Sequence, residues 1–340
     1  MADNKLIEVE IPYWSSVYNH IVYSFFYYSE RNGFDLKIVK NNDVYLGLAI
    51  INFKGKRALL DYSDDTGHFN GRFKCDYYFK RSLMNSDYLQ GVFPLNFQIS
   101  LSYKPLKVLS KIEKSILFDK RSRGELIRAL DWLETFTDDS HHSKTIMRFD
   151  GCRALPKKSG RVIFMTRLWD PSRHADEAEK ARREAQNNFR IGACRILKKE
   201  FPDSIVGVFP DNYSKTVATD VLIDASLARK RSYLNLAGGC DIGIADDGLR
   251  DTPGWKIGEY TMLGMAIIST PINVHIQGFT EGVNYLSTGS RSNYEVLPAL
   301  ISTLQRGDRY LEMQKSNRNW YLNHLEPLRY VDNILSKFEN

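Results

Sequence analysis

The residue types best suited to phosphate and sugar chemistry lie together in residues 240–271, which read CDIGIADDGLRDTPGWKIGEYTMLGMAIISTP. This stretch predicts a short buried strand at 241–245, a polar loop with glycine and proline, and a helix over 255–263. The start of such a helix presents free backbone N–H groups and a positive dipole end, which suit a phosphate. Lys256 stands in the first turn, and Glu259 follows on nearly the same face. The pattern predicts a nucleotide-diphosphate site in which Glu259 accepts sugar hydroxyls.

A longer pattern surrounds these two residues. Residues 253–268 read Pro-Gly-x-Lys-x-x-Glu-Tyr-x-x-x-Gly-x-Ala-Ile-Ile. This resembles the donor-binding segment of GT-B glycosyltransferases, and most of all the retaining, family 4-like group whose signature is an acid, seven residues and then Glu. Asp251 and Glu259 have that spacing, with Asp in place of the first Glu. The resemblance covers residues 160–290 well and the N-terminal half in outline.

The resemblance implies an α/β protein of two Rossmann-like domains facing across a cleft, with the C-terminal helix crossing back to the N-domain. It implies transfer of a sugar from a nucleotide-diphosphate sugar to a glycan or lipid-linked acceptor. Asp251 and Gly254 would approach the sugar or the phosphates, and Lys256 and Glu259 would bind the nucleotide. We expect no obligatory cofactor and no metal, because cationic contacts can take the place of an ion.

Two other functions fit the same pattern. A sugar-nucleotide epimerase can share the fold and the donor site, and a non-catalytic sugar-nucleotide or glycan-binding protein can retain binding alone. Hydride transfer is disfavoured, because Ala237-Gly238-Gly239 precedes a strand and no GxGxxG opens a helix.

A second basic residue, Arg167, follows a predicted strand. In the segment RVIFMTRLWDP, an apolar strand at 161–165 is followed by Thr166 and Arg167. In the resembled family the first donor-domain strand ends in a similar residue that contacts the leaving diphosphate, so the resemblance implies this role for Arg167. Its planar fork of N–H donors suits phosphate oxygens. The alternative is a cap or ion pair for the following helix.

Candidate acid–base groups come from the first half of the chain, where ALLDYSDDTGHFN ends an apolar strand in four polar residues: Asp61, Asp64, Asp65 and His68. The carboxyl ends of strands are where α/β enzymes place catalytic groups. An inverting reaction would need one of the four as a base for the acceptor hydroxyl. A retaining reaction, which the acid-x7-Glu spacing indicates, needs no strong base. The alternative is a solvated turn with an Asp cap.

The order of the predicted elements sets the domains. Strands are predicted at 5–11, 35–39, 46–53 and 57–62, with a helix ending at Asn32-Gly33. The Lys54-Gly55-Lys56 interruption predicts a tight turn between two of these strands. In the second half, strands and helices alternate, which predicts a parallel, doubly wound sheet. We therefore expect three parts: an acceptor-binding domain (1–155), a nucleotide-sugar-binding domain (156–320) and a C-terminal helix packing on the N-domain (321–340).

Length, charge and cysteine content indicate what class of protein this is. A chain of 340 residues fits about two domains. The longest apolar run is too short for a membrane span, and the first residues lack the pattern of a signal peptide. Four scattered cysteines predict neither a disulfide framework nor a zinc site, and fit a reducing cytoplasm. A net charge of +6 is weak evidence for nucleic acid, so we expect a cytoplasmic protein that does not bind it.

One stretch adds a membrane hypothesis. In residues 105–123, three lysines recur at helical spacing beside apolar residues: Lys107, Lys111 and Lys114. A basic amphipathic helix of this kind predicts a peripheral contact with the anionic inner face of a membrane. A solvated helix face is the alternative.

Overall fold

The computed structural model describes residues 5–69, 71–101, 103–130, 159–227, 230–248 and 252–339. The chain divides into two compact units. The first comprises Met1–Cys152, Asn273–Gly278 and Trp320–Asn340, and the second comprises Arg153–Ile272 and Phe279–Asn319.

The strands, in chain order, are β1 (Leu6–Ile11), β2 (Asp35–Lys40), β3 (Leu48–Phe53), β4 (Lys56–Asp61), β5 (Tyr77–Lys80), β6 (Val92–Pro94), β7 (Val162–Thr166), β8 (Ile205–Val208), β9 (Ile242–Ala245), β10 (Ala266–Ser269) and β11 (Leu286–Ser287). The α-helices are α1 (Asn19–Asn32), α2 (Pro105–Val108), α3 (Lys114–Leu117), α4 (Arg123–Leu130), α5 (Glu177–Glu200), α6 (Ser214–Val217), α7 (Lys230–Ala237), α8 (Trp255–Met262), α9 (Leu297–Gln305), α10 (Tyr310–His324) and α11 (Pro327–Leu335).

The first unit is built on a six-stranded sheet with the order β2-β1-β3-β4-β5-β6. Its strands are parallel except for β3, which is antiparallel to both neighbours. The turn between β3 and β4 has left-handed backbone at Lys54 (φ 49°) and Gly55 (φ 74°), a conformation that glycine adopts without steric cost. The tight turn predicted at this position is confirmed.

The last helix belongs to the first unit, as predicted. Tyr330 of α11 stacks on His20 of α1 with ring centroids 4.2 Å apart, and its hydroxyl meets that of Tyr62 just after β4. Both tyrosines and His20 are almost completely buried. Segment Asn273–Gly278 also joins this unit, and its His275 N–H donates to the carbonyl of Leu83 at 2.7 Å.

The second unit is built on a five-stranded sheet with the order β11-β10-β9-β7-β8, and every pairing in it is parallel. Its strands are short and apolar on both sides, as expected where a parallel sheet is covered on both faces. The core contains Phe164 of β7 and Phe189 of α5 in an edge-to-face contact. The predicted pair of Rossmann-like α/β units is confirmed.

The helix predicted over 105–123 is broken into α2, α3 and single turns. Ile112 takes an extended backbone (φ −94°, ψ 129°) because it pairs with Ile38 of the edge strand β2. The N–H of Glu113 donates to the Ile38 carbonyl at 2.8 Å. Pairing with the sheet edge therefore outweighs the helical preference of this segment.

Within the described ranges, no helix is long and apolar enough to cross a membrane.

Candidate functional site

The parallel sheet of the second unit brings the ends of all five strands to one edge. Ligands of open α/β sheets bind beyond such carboxyl ends, where the loops gather. The residues that follow these strands include three charged groups and a buried hydroxyl: Arg167 after β7, Asp246 and Asp247 after β9, and Thr270 after β10.

The helix that opens at this edge is α8, whose N-cap is Gly254 (φ −65°, ψ 154°). Glycine has no side chain that could cap the first turn. Asp247 pairs with Pro253 in an isolated bridge, which returns the loop to the end of β9. A side chain at position 254 would place its Cβ 3.2 Å from the carbonyl of Asp246. Glycine thus permits a close approach of the loop backbone and supplies no side-chain acceptor of its own to the first N–H groups of α8.

Lys256 lies in the first turn of α8, as predicted, but its side chain points toward β7. Its Nζ is 5.4 Å from the ring centre of Phe164. Burial lowers the pKa of Lys256 to about 8, while the charge of Asp246 opposes that shift and the charge of Arg190 adds to it. The ammonium group of Lys256 therefore loses its proton at a lower pH than the ammonium group of an exposed lysine does.

Glu259 is one turn further along α8 and is only 3% exposed. Its carboxylate lies near the hydroxyl of Tyr233 from α7. Burial raises the pKa of that hydroxyl most, and the charges of Tyr260 and Glu259 raise it further. The side chain is therefore held among aromatic groups.

Arg167 is exposed, and its guanidinium lies over the ring of Phe209, the residue after β8, at 4.3 Å from the ring centre. Such stacking orients the planar group while its N–H donors remain in water. The backbone carbonyl of Arg167 accepts from Nη1 of Arg190 at 2.6 Å. A cation is therefore fixed at the carboxyl end of β7.

Arg190, in the middle of α5, and Asp246 were missed by the sequence reasoning. Their side chains form a buried ion pair through Arg190 Nε and Asp246 Oδ2, and each residue is at most 6% exposed. Because Arg190 also bonds to the Arg167 carbonyl, it ties the end of β7 to the end of β9. The available signal was an arginine on the apolar face of a long helix.

Asp247 was likewise not predicted, and it links three strand ends. Its backbone N–H donates to Thr270 Oγ1 at 2.8 Å, and its Oδ2 lies 3.5 Å from Nε of Arg291, which follows β11. Burial and the neighbouring Asp246 raise the pKa of Asp247 above its ordinary value. Asp251, the predicted sugar-facing acid, lies outside the described residues.

The predicted acid–base residues of the first unit are in different surroundings. Asp61 ends β4 and is fully buried. Its carboxylate accepts from Lys80 Nζ at 2.7 Å, from Tyr78 OH at 2.7 Å and from Ser63 Oγ at 2.6 Å. Lys80, the last residue of β5, is equally buried. Asp61 is thus an internal partner of Lys80.

The other three predicted residues lie in the loop after β4 and are less enclosed. Asp64 pairs with Arg81 Nη1 at 2.5 Å, and Asp65 accepts from the N–H of Gly67 at 2.9 Å. His68 Nε2 lies 3.0 Å from Asp87 Oδ2. The structure gathers all four in one region of the first unit, and their catalytic roles stay predictions.

Among the residues that the structure describes, no group of three or more His, Cys, Asp or Glu side chains is placed to hold a metal ion.

No protein-family model matches this chain, and no curated protein matches its sequence. The solved structures that resemble it include two glycosyltransferase structures. A GtfA/B complex is 14% identical with a TM-score of 0.32, over 54% of this chain and 36% of that one. The pneumococcal O-GlcNAc transferase GtfA in complex with UDP and GlcNAc is 12% identical with a TM-score of 0.34, over 88% of this chain and 66% of that one. This chain spans less than two thirds of either length, and similarity at this level assigns it no activity.

Proposed function

We propose that this protein is a glycosyltransferase that takes a sugar from a nucleotide-diphosphate sugar. One observation carries the proposal: the carboxyl edge of the parallel sheet presents an exposed Arg167 together with the start of a helix, α8, whose N-cap residue is a glycine. Both features supply N–H donors of the kind that bind phosphate.

The difficult step is departure of the diphosphate as positive charge develops at the anomeric carbon of the sugar. Arg167, Lys256 and the N–H groups of α8 would stabilise the negative charge on that leaving group. The Arg190–Asp246 pair holds the backbone that carries Arg167, so this donor is oriented before the reaction. Cations in these roles make a metal-independent reaction the simplest form of the proposal.

Glu259 would hold the nucleotide ribose, and Asp251 and Gly254 would approach the sugar or its phosphates. Access of ribose to Glu259 requires movement of the groups around it, because this carboxylate is only 3% exposed. The second unit is therefore proposed as the nucleotide-sugar domain.

The first unit is proposed as the acceptor domain, with a glycan or lipid-linked acceptor. We propose a retaining reaction, because such a reaction needs no strong base from the first unit. The carboxylate at the end of β4 already accepts from Lys80, Tyr78 and Ser63, which leaves Asp64, Asp65 and His68 as the more accessible groups. A role in polysaccharide biosynthesis, in the cytoplasm or at the inner membrane face, belongs to the same proposal.

The first experiment is a thermal-shift series with UDP, GDP, CDP and ADP, with and without magnesium. A ligand that binds only the folded state at 100 times its dissociation constant adds about 2.7 kcal/mol of stability. We expect a shift with one diphosphate that is reduced in Arg167→Ala and Glu259→Gln, and unchanged in Arg173→Ala, whose side chain is 75% exposed.

Product analysis with the matching sugar nucleotide then separates the alternatives. Acceptor-dependent release of the nucleoside diphosphate supports transfer, and release without an acceptor supports an epimerase. Binding with no turnover supports a binding protein. The absence of a shift with all four diphosphates at millimolar concentration would refute the donor site.

A further inference from the structure

The segment from residue 104 to residue 123 carries cations that form no ion pair with the acids of the described residues. Five of them have no carboxylate within ion-pair distance among the described residues: Lys107, Lys111, Lys114, Lys120 and Arg123. The acids of this segment are already engaged. Asp119 pairs with Lys40 and Arg121, and Glu113 accepts from the backbone N–H of Lys40. Excess positive charge is therefore a feature of this surface.

The burial pattern of the same segment shows which side faces water. Val108, Ile112 and Ile116, spaced by four residues, are at most 5% exposed and pack inward. The residues between them are exposed or partly buried. Two large apolar side chains that flank this stretch are in water: Leu106 is 48% exposed and Phe118 is 83% exposed. We call these two residues and the five cations the basic face.

A groove of about 490 Å³ adjoins the basic face, between α1 and the segment that begins with α2. Phe26 and Phe34 line it from one side, and Lys107 and Lys111 line it from the other. The carboxylate of Glu30 also lines it and is paired with Lys104 at 2.7 Å. The hydroxyl of Ser29, a residue only 4% exposed, is buried on this side and has no hydrogen-bond partner in the described part of the chain. An apolar wall opposite two lysines suits a phosphate attached to an apolar body.

We propose that the basic face docks on an anionic phospholipid bilayer. Leu106 and Phe118 would enter the boundary between headgroups and acyl chains, the five cations would contact lipid phosphates, and the groove would receive one headgroup. Cations and exposed apolar residues close together on one segment are the combination that holds a protein in a membrane interface. This inference does not depend on sugar transfer, since no donor-site residue takes part.

The test is flotation of the full chain with vesicles of phosphatidylcholine alone and with vesicles containing an equal part of phosphatidylglycerol. We expect binding only to the anionic vesicles, and weaker binding at high salt. The variant Lys107→Ala/Lys111→Ala/Lys114→Ala should lose roughly fivefold in partitioning for each lysine removed. Phe118→Ser should lose roughly fivefold without loss of thermal stability, because its ring contributes little to the core.

The matched control is Lys199→Ala/Lys215→Ala/Lys315→Ala, which removes the same charge from exposed positions of the second unit and should bind like the wild type. Equal binding by the two triple variants would overturn the proposal, as would equal binding to neutral and anionic vesicles or to neither. Release from vesicles by inorganic phosphate at matched ionic strength would also overturn it, since that result identifies a site for free phosphate.

Discussion

The same topological position is used in opposite ways in the two units. At the carboxyl edge of the first sheet, Asp61 and Lys80 are paired across β4 and β5 and are fully buried. At the carboxyl edge of the second sheet, Arg167 is exposed and the N-cap residue of α8 is a glycine. A charge satisfied inside the protein adds to structural specificity, whereas a donor left in water is available to a ligand. We therefore expect a structural role for the buried pair at the first edge, and we propose ligand binding at the second.

Breaking the buried pair of the first edge should have the largest effect. Asp61→Asn leaves Lys80 buried without its counter-charge, and removal of one partner of such a pair costs about 3–5 kcal/mol. Urea unfolding of Asp61→Asn, Lys80→Met and the double variant measures this loss and the coupling between the two residues. Asp220→Asn is the control, because it breaks the exposed pair with Arg195 and should change the free energy of unfolding by about 1 kcal/mol or less. A folded, fully stable and inactive Asp61→Asn protein would instead support a catalytic base.

His20, which stacks on Tyr330 near the same edge, should make stability depend on pH. Burial lowers the pKa of His20 to about 4, so the folded protein keeps this imidazole neutral. Below pH 6.5 the unfolded chain takes up a proton that the folded chain refuses until about pH 4. The free energy of unfolding should therefore fall by about 1.4 kcal/mol per pH unit over this window, relative to His20→Gln. Parallel pH profiles of the two proteins would contradict this assignment.

At the second edge, Arg167→Ala should reduce function and spare the fold. Loss of hydrogen bonds to a charged group is worth about 1.5–3 kcal/mol, or roughly 10- to 150-fold in kcat/KM. The free energy of unfolding should change by about 0.5 kcal/mol or less, because the side chain is exposed. Arg173→Ala serves as the control for both measurements. A large drop in stability with unchanged kcat/KM would reverse the contrast between the two edges.

The smallest expected effect is the pH dependence of nucleotide affinity. Because burial lowers the pKa of Lys256 to about 8, its ammonium group is charged below that pH and neutral above it. The affinity for a nucleoside diphosphate should fall up to about tenfold per pH unit above pH 8. Calorimetry with the wild type and Lys256→Met measures this, and the variant should bind weakly with a flat profile. An identical fall in both proteins would place the titrating group elsewhere.

The placement of Lys256 and Glu259 on a helix could be predicted because the signals for it are local. We can recognise these signals over a few residues: a short apolar strand, the glycine before Trp255, and the spacing of Lys256 and Glu259. The same holds for the left-handed turn at Lys54-Gly55. Helix starts, strand ends and turns depend on neighbouring residues, so sequence order was enough to predict them.

What the sequence determined by itself is the alternation of elements, the two α/β units and the position of Arg167, Lys256 and Glu259 near strand ends. Only the tertiary structure decided the pairing of Arg190 with Asp246, 56 residues apart, and of Asp61 with Lys80, 19 residues apart. It also broke the helix predicted over 105–123, because Ile112 bonds to β2. The physical reason is common to all three. Whether a charge is buried in a pair or a segment is extended depends on which distant part of the chain lies beside it, and the order of the strands in the sheet sets that neighbour.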